Sequence, residues 1–342
     1  GIPVLFLTGQ VATGQLQDGT GHLRQLGFQE TPVTAIFNRV VKIGWTVKYA
    51  ENMPPLLSDA WHLANEHRRG PVLLDLPDDI QRADVNPEGE HLEPEEKIWS
   101  VDNLNDLLPL MAMAERPLII LGVGIWHSHT VDMARAFVEA LGWPALLSWG
   151  GMDLLPWGHP QNMGGFGTCG PLAGNLALLN ADFVLALGTR LNPQMVPDMA
   201  ALKAKLAVVD IDANELARFA GAMTIHAHLR DFFLVMARDY LALPTPDSRF
   251  PARDLSPWLA QIQAWRQLRP VTGSKDWQPN PYAFLRALSD ASGETDIVLT
   301  DAGATLAWVM QTWRKQGVQR IISSWNHSPM GWAVPASVGA AF

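Results

Sequence analysis

The sequence predicts an α/β protein with mainly parallel sheets, because short apolar runs typical of buried strands alternate with helical patterns in three successive blocks. Polar stretches that contain proline separate the blocks and are typical of linkers. The 342 residues suit two or three domains, and a composition of 48% hydrophobic and 17% charged residues supplies enough material for buried cores.

The first block spans residues 1–85. Its strands are predicted at residues 4–7 and 72–76, where the apolar runs are short and continuous. Thr31 and Pro32 predict the N-cap and the first position of a helix. One apolar face of that helix is formed by Val33, Ile36, Phe37, Val40 and Val41. A second helix has an apolar face made of Leu57, Ala60, Trp61 and Ala64.

The second block, residues 101–243, lies between two predicted linkers, residues 86–100 and 244–278. Its strands are predicted at residues 118–121, 145–147, 183–187 and 207–211. A helix at residues 255–268 bridges to the third block, residues 279–342, with helices at 282–289 and 305–314 and strands at 297–300 and 320–323. Because the chain begins within a strand pattern and ends in an apolar segment typical of a helix start, we expect a piece of a longer protein.

Charge argues against two classes of partner, and the cysteine content excludes an internal disulfide. The 34 acidic and 25 basic residues give a formal charge of −9, which argues against nucleic acid and anionic membrane as partners. No apolar run approaches the ~20 residues of a membrane span. The single cysteine, Cys169, excludes an internal disulfide and fits a reducing compartment, so we expect a cytoplasmic location.

Two turns in the second block are candidate ligand sites. Gly122 and Gly124 follow a strand and precede a helix, as a phosphate-binding turn does, although the third glycine of the dinucleotide fingerprint is absent. A tight turn without a ligand is the alternative. Asp210 and Asp212 end a later strand, where a carboxylate accepts bonds from a ribose hydroxyl or is simply solvated.

Histidine and cysteine patterns give no convincing catalytic or metal site. The pairs His127/His129 and His226/His228 have i, i+2 spacing but no evident third ligand, which favours ordinary surface or turn histidines. Cys169 has no indicated base partner, and the sequence has neither a Gly-x-Ser-x-Gly elbow nor a P-loop.

Nine stretches of moderate specificity follow one another along the chain. They are residues 7–11, 27–32, 69–81, 116–118, 122–124, 187–191, 210–212, 300–303 (Thr-Asp-Ala-Gly) and 330–336 (Met-Gly-Trp-Ala-Val-Pro-Ala). In this order and at this spacing they resemble the acetolactate synthase large subunit-like family of thiamine-diphosphate-dependent enzymes, over essentially the whole chain.

The resemblance implies three doubly wound domains, of which the first and third are incomplete here. They are the C-terminal part of a pyrimidine-binding domain, a central domain that binds FAD or another nucleotide, and the N-terminal part of a diphosphate-binding domain. In the family the cofactor lies between two subunits, so the resemblance implies a homodimer or homotetramer. It also implies decarboxylation of a 2-oxo acid, with or without addition to a second carbonyl.

The resemblance assigns roles to individual residues. Those that line the pocket and contribute to catalysis are Gln10, Phe28 and Gln29. The diphosphate turn is Gly303, Ala304 and Thr305. Ser328 supplies a backbone carbonyl to the cofactor, and Met330 supports its bent form, although alone it would be assigned to a core. Residues at the positions that bind FAD or an ADP moiety are Gly122, Gly124, Arg190 and Asp212.

The family's activating glutamate and its Gly-Asp-Gly magnesium ligands match nothing in this sequence. No metal ligand is therefore assigned here, and we expect the chain alone to be inactive. The alternative to an enzyme is a non-catalytic nucleotide-binding module derived from the family.

Three departures from the family concern the substrate and cofactor. Ala304-Thr305 replaces Gln-His in the diphosphate turn. Gln194 stands where acetolactate synthases have an arginine, and Asp78 where they have a lysine.

We predict that the protein is a poor acetolactate synthase. A neutral glutamine cannot make the bidentate contact of a guanidinium with the acceptor's carboxylate, and losing such a contact weakens binding by about 2 kcal/mol. Colorimetric detection of acetolactate formed from pyruvate measures this. Turnover comparable with a biosynthetic acetolactate synthase would contradict the prediction.

Overall fold

The computed structural model describes residues 1–17, 23–86, 99–241, 253–268, 270–273, 276 and 278–342. They form two compact units, Gly1–Ile98 and Trp99–Phe342. Most of the first predicted linker and part of the second lie outside the described residues.

The first unit contains a three-stranded parallel sheet with the order β1-β3-β2. The strands are β1 (Val4–Gln10), β2 (Ile43–Thr46) and β3 (Pro71–Pro77), and the helices are α1 (Val33–Phe37), α2 (Met53–Asn65) and α3 (Asp78–Arg82). The middle strand is buried on both faces, since Val72, Leu73 and Leu74 have no exposed surface. This explains why its sequence is a continuous apolar run.

The prediction for α1 was wrong in its extent and its cap. Pro32 is the N-cap without a side-chain bond, and the helix ends at Phe37 rather than extending to Val41. The reason is that the chain must turn into β2, and Lys42 N–H already donates to Pro71 O at 2.7 Å. Ile36 and Val40, predicted on the buried face, are exposed.

The second unit contains a six-stranded parallel sheet with the order β6-β5-β4-β7-β8-β9. Its strands are β4 (Pro117–Leu121), β5 (Ala145–Leu147), β6 (Asn162–Gly165), β7 (Phe183–Leu187), β8 (Lys205–Asp210) and β9 (Met223–His226). Its helices are α4 (Leu104–Met113), α5 (Gly124–His127), α6 (Val131–Leu141), α7 (Leu172–Asn180), α8 (Ala213–Leu216), α9 (Leu229–Met236) and α10 (Ser256–Leu268).

Both faces of this sheet are covered. Ile119 and Leu121 belong to one buried apolar cluster, whereas Leu118 and Ile120 belong to another. Since neighbouring strand residues point to opposite faces, two cores sandwich the sheet. The predicted doubly wound, parallel α/β fold is confirmed.

The third block lies within the second unit and contains two parallel strands, β10 (Ile297–Leu299) and β11 (Arg320–Ile322). Its helices are α11 (Pro281–Ala291), α12 (Ala304–Thr312) and α13 (Ala333–Ala340). The prediction that α12 reaches Arg314 was wrong, because the chain becomes extended at Trp313. Among the described residues, no helix combines the length and apolar character needed to cross a bilayer.

A buried carboxylate joins the six-stranded sheet to the third block. Asp153, in the loop that follows β5, is 1% exposed. Its Oδ1 accepts a hydrogen bond from Trp126 Nε1 at 2.7 Å. Its Oδ2 accepts bonds from Arg320 Nε and from Ile321 N–H, both at 2.9 Å. The Arg320 guanidinium also lies over the Trp126 ring, 3.5 Å from its centroid. Asp153 therefore fastens β11 to the central sheet.

We predict that Asp153→Ala destabilises the protein by about 3 kcal/mol, because it leaves a buried indole N–H and a backbone N–H without an acceptor beside an uncompensated arginine. Urea unfolding monitored by circular dichroism measures the loss. Asp132→Ala is the matched control, since the Asp132 side chain is 99% exposed and lies 3.8 Å from Arg135. Equal effects of the two changes would contradict the role of Asp153.

Candidate functional site

The central sheet reverses its strand order between β4 and β7. From β4 the chain adds β5 and β6 on one side, and it then returns to add β7, β8 and β9 on the other. Sheets of this type bind ligands beyond the carboxyl ends of the strands at such a switch point. The loops after β4 and β7, which carry Gly122 and Gly188, therefore define the first candidate site.

These two loops touch through their backbones. Gly122 N–H donates to Leu187 O at 2.9 Å, and Gly124 N–H donates to Gly188 O at 3.0 Å. A Cβ added to Gly122 would lie 2.0 Å from Gly188 O, and one added to Gly124 would lie 2.8 Å from Gly188 Cα. The contact between loops accounts for both glycines without a ligand. Their assignment to nucleotide binding stays a prediction.

A charged cluster occupies the same edge of the sheet. Arg190 Nε lies 2.9 Å from Glu215 Oε1, and Arg218 Nη1 lies 2.5 Å from Glu215 Oε2. The Glu215 side chain is only 12% exposed, whereas that of Arg190 is 45% exposed. One shielded carboxylate thus orients two arginines whose side chains are partly exposed. Sequence reasoning missed Glu215, because a single glutamate on a short helix has no distinguishing pattern.

Asp212 has a local structural role. Its side chain caps α8 by accepting the Asn214 N–H at 2.9 Å, and its own N–H donates to Asp210 Oδ1 at 3.0 Å. Because Glu215 lies on α8, this cap also positions the partner of Arg190. The structure thus places Arg190 and Asp212 at one edge, connected through one helical turn.

Of the histidine pairs with i, i+2 spacing, His226 and His228 have structural contacts within the protein. His226 Nε2 lies 3.0 Å from Ile211 O, and its ring makes an edge contact with Trp99. His228 Nδ1 accepts the Arg230 N–H at 3.2 Å and caps α9. Within the described part of the chain, no group of three His, Cys, Asp or Glu side chains could hold a metal ion.

The second candidate site is the turn that precedes α12. Gly303 has φ +83° and ψ −150°, a conformation that disfavours other residues, and it is the N-cap of the helix. No atom lies within 4 Å of the position of an added Cβ. Ala304 and Thr305 follow in the first turn and are exposed. Their N–H groups lie at the N-terminus of a nine-residue helix, which favours an anion.

The segment around Met330 lies beside this turn. Asp301 Oδ1 accepts the Ala302 N–H at 2.7 Å and the Gly331 N–H at 3.2 Å. Asp301 Oδ2 accepts the Ala333 N–H at 3.2 Å. The Met330 side chain is 93% exposed. The structure therefore brings Met330 together with Gly303, Ala304 and Thr305.

Ser328 adopts an uncommon backbone conformation near Met330. Its φ is +44°, a region that non-glycine residues rarely occupy. The Ser328 N–H and hydroxyl both donate to Ser324 O, at 2.9 and 3.1 Å. These bonds hold the turn that precedes Met330 and orient the Ser328 carbonyl.

The third candidate site belongs to the first unit and surrounds Asp75. This carboxylate is 1% exposed and accepts bonds from Thr8 Oγ1 at 2.8 Å, Gln10 Nε2 at 3.1 Å and Thr46 Oγ1 at 3.3 Å. Gln10 Nε2 also donates to Thr31 O at 2.7 Å. Gln10 is therefore held at the end of β1, next to the loop that carries Phe28 and Gln29.

That loop is shaped by a carboxylate. Glu30 accepts the N–H groups of Gln17, Leu26 and Gly27 at 2.7, 2.5 and 3.2 Å. These backbone bonds, above all that from Gln17, lower the pKa of Glu30. Gln29 has φ +68°, and the Phe28 side chain is 84% exposed. The loop thus presents an aromatic ring to solvent from a fixed backbone.

A groove of about 760 Å³ opens at the opposite, amino-terminal edge of the central sheet. Arg116, Arg253, Trp258 and Trp265 line it. None of the predicted site residues lines it.

Comparison with known proteins agrees with the fold and the motifs. Residues 104–234 match the family described as the thiamine pyrophosphate enzyme, central domain. The middle of the chain is therefore a central domain of the thiamine-diphosphate enzyme type.

Curated relatives define the group more narrowly. Over 99% of its length, the chain is 29% identical to the acetolactate synthase large subunit of Lactococcus lactis and 26% identical to the isozyme 1 large subunit of Escherichia coli. It is 25% identical to the chloroplastic acetolactate synthase 2 of Nicotiana tabacum. The similarity extends along essentially the whole chain, in agreement with the predicted resemblance to the acetolactate synthase-like thiamine-diphosphate enzymes. The chain spans 58%, 58% and 51% of the lengths of these relatives.

Proposed function

We propose that the protein carrying this chain decarboxylates a 2-oxo acid with thiamine diphosphate. The group that remains is then either protonated and released or added to a second carbonyl compound. The observation that carries the proposal is the pairing of the Gly303 turn with the Met330 segment through Asp301. Two segments that the resemblance assigns to one cofactor, 27 residues apart, are neighbours in the structure. The similarity to acetolactate synthases along 99% of the chain supports the same reaction class.

The residues present fit a diphosphate in part. The Gly303 turn offers open space, backbone N–H groups, a helix N-terminus and the Thr305 hydroxyl. Magnesium belongs to the proposal as the counter-ion of the diphosphate, but the described residues supply no cluster of ligands for it. The resemblance assigns those ligands to residues outside this sequence.

The chain's own residues would bind the cofactor and shield it from water, whereas the cofactor would supply the reactive carbon. When bound, thiamine diphosphate supplies the nucleophilic carbon that the reaction needs. Met330 and the Ser328 carbonyl would support it from one side. Gln10, Phe28 and Gln29 would line the pocket contributed by another subunit, where the Phe28 ring would exclude water.

Specificity for the acceptor differs from that of acetolactate synthases in this proposal. Gln194 is exposed and neutral, and its backbone is held by Asn192 Oδ1 and by Thr168. Asp78 makes an i, i+4 ion pair with Arg82 at 2.9 Å, so its carboxylate is paired within α3. An acceptor without a carboxylate, or simple protonation, suits this site better than a second pyruvate.

Assembly and location complete the proposal. Phe28, Met330, Val334 and Val338 are exposed apolar side chains at the predicted cofactor sites and on α13. Their exposure supports a homodimer or homotetramer in which subunits cover one another. The free thiol of Cys169 is compatible with a reducing compartment, which supports a cytoplasmic location. We propose no nucleic acid or membrane partner, in line with the formal charge of −9.

We predict that the full-length protein binds thiamine diphosphate in the presence of Mg²⁺ and consumes a 2-oxo acid, whereas the 342-residue chain alone does neither. The chain alone lacks the assigned metal ligands, and turn amides compensate weakly for a divalent ion. Titration followed by circular dichroism, with pyruvate consumption as the second measurement, tests both statements. Metal-dependent micromolar binding and turnover by the chain alone would show that the motifs are misplaced.

We also predict that the central domain binds an adenine nucleotide at the edge that carries Arg190, and that FAD is the preferred one. Arg190→Ala should weaken binding about tenfold or more, because it removes a charge-assisted contact with a phosphate. Calorimetry with FAD and with ADP measures the affinity. Arg238→Ala is the matched control, since Arg238 forms an ion pair with its sequence neighbour Asp239 and is far from Arg190 in the sequence. Absence of flavin absorbance and of any nucleotide binding would refute the prediction.

The alternative is a nucleotide-binding module without catalysis. The observation that favours it is the pair of partly exposed arginines, Arg190 and Arg218, which Glu215 holds at the carboxyl edge of the central sheet. Nucleotide binding by the full-length protein, without binding of thiamine diphosphate, would decide for this alternative.

A further inference from the structure

Asp301 is not among the residues that the resemblance assigns to the cofactor. It follows β10 and precedes the Gly303 turn. Its carboxylate accepts one N–H from its own turn, that of Ala302, and two N–H groups from the Met330 segment, those of Gly331 and Ala333. A single side chain thus fixes the separation of two backbone segments.

These bonds satisfy groups that would otherwise lack partners. Ala333 is the first residue of α13, where the first N–H groups of a helix have no acceptor within the helix, and Gly331 directly precedes the N-cap residue Trp332. A carboxylate placed there acts as an N-cap supplied by a distant residue, and it also interacts favourably with the helix dipole. Nothing within α13 does this, because its own N-cap, Trp332, makes no side-chain bond.

We propose that Asp301 is a positioning residue for thiamine diphosphate, which sets the distance between the diphosphate turn at Gly303 and the support at Met330. The inference rests on the proposed function, since it assumes that both segments contact the same cofactor. Asp301 touches neither reacting atoms nor cofactor in this role, and it acts through the backbone N–H groups of Ala302, Gly331 and Ala333.

Hydrogen bonding favours the ionised form of this carboxylate. Hydrogen bonds from Ala302, and then from Ala333 and Gly331, lower the pKa of Asp301. The contacts are therefore complete above the ordinary pKa of an aspartate and are lost only as the pH falls through the lowered value. At neutral pH, only substitution removes them.

The first experiment measures the backbone contacts without cofactor. Asp301→Ala should raise the rate of amide hydrogen exchange at Gly331 and Ala333 about tenfold, because both lose their acceptor. Asp301→Asn keeps one oxygen and should affect fewer of the three amides. Asp296→Ala is the matched control, since Asp296 is an exposed carboxylate of the same block that accepts only the Gly293 N–H of its own loop.

The second experiment measures function in the full-length protein. Asp301→Ala should raise the Kd for thiamine diphosphate with Mg²⁺ about tenfold, and saturating cofactor should restore the rate of 2-oxo acid consumption. Asp301→Asn should be intermediate, and Asp296→Ala should bind normally. Thermal unfolding of each variant identifies any that has lost its fold, in which case Asp301→Asn decides.

The outcomes separate the two levels of the argument. Faster exchange together with weaker cofactor binding supports the proposal. Unchanged exchange at Gly331 and Ala333, or faster exchange with unchanged cofactor affinity, would overturn the positioning role and leave the proposed function intact. If the unmodified full-length protein does not bind thiamine diphosphate, the proposed function fails, and the positioning role fails with it.

Discussion

The third block depends on its attachment to the central sheet, because two short parallel strands are too small to be stable alone. Asp153 provides this attachment through Trp126, Arg320 and Ile321. Trp157 N–H, which donates to Lys315 O at 2.9 Å, strengthens the junction. Tight packing also affects Lys315, which is 4% exposed. Burial, and secondarily the charge of Arg135, lowers the pKa of Lys315 to about 8. Below that pH its ammonium group is held away from water. Removing Asp153 would therefore weaken the attachment of the block that carries the Gly303 turn.

The glycines of the central domain show how one sequence pattern serves two physical purposes. A turn of small residues after a strand allows a phosphate to approach, but it equally allows a second backbone to approach. Here Gly188 occupies the space next to Gly122 and Gly124. The contact lies at the switch point of the sheet, so it also brings the loop of Arg190 to the edge where such folds bind ligands. Close packing of the loops and ligand binding beyond them are compatible.

Carboxylates organise all three candidate sites. Asp75 gathers hydroxyl and amide groups from β1 and β2, Glu215 orients two arginines, and Asp301 joins the Gly303 turn to the Met330 segment. Asp75 and Glu215 contact residues that the resemblance assigns to a ligand, Gln10 and Arg190, whereas Asp301 bonds to neighbours of such residues. The assigned residues are the predicted ligand contacts, whereas the three acids bond within the protein. This division fits sites whose ligand groups must be held rigidly before the ligand arrives.

The sequence by itself determined the alternation of strands and helices, the buried middle strands and the order of the motifs, because apolar periodicity and turn residues are local properties. It placed Gly303 near Met330 only through resemblance. The tertiary structure alone decided where α1 ends, and it added β2, β6 and β9, which were not predicted. Their segments lack the continuous apolar run of the predicted strands, because β2 contains Gly44, β6 ends in two glycines and β9 ends in His226, so their pairing is decided by their neighbours. The roles of Asp75, Asp153 and Asp301 were likewise invisible, since their partners lie up to 168 residues away and only folding brings them within hydrogen-bond distance.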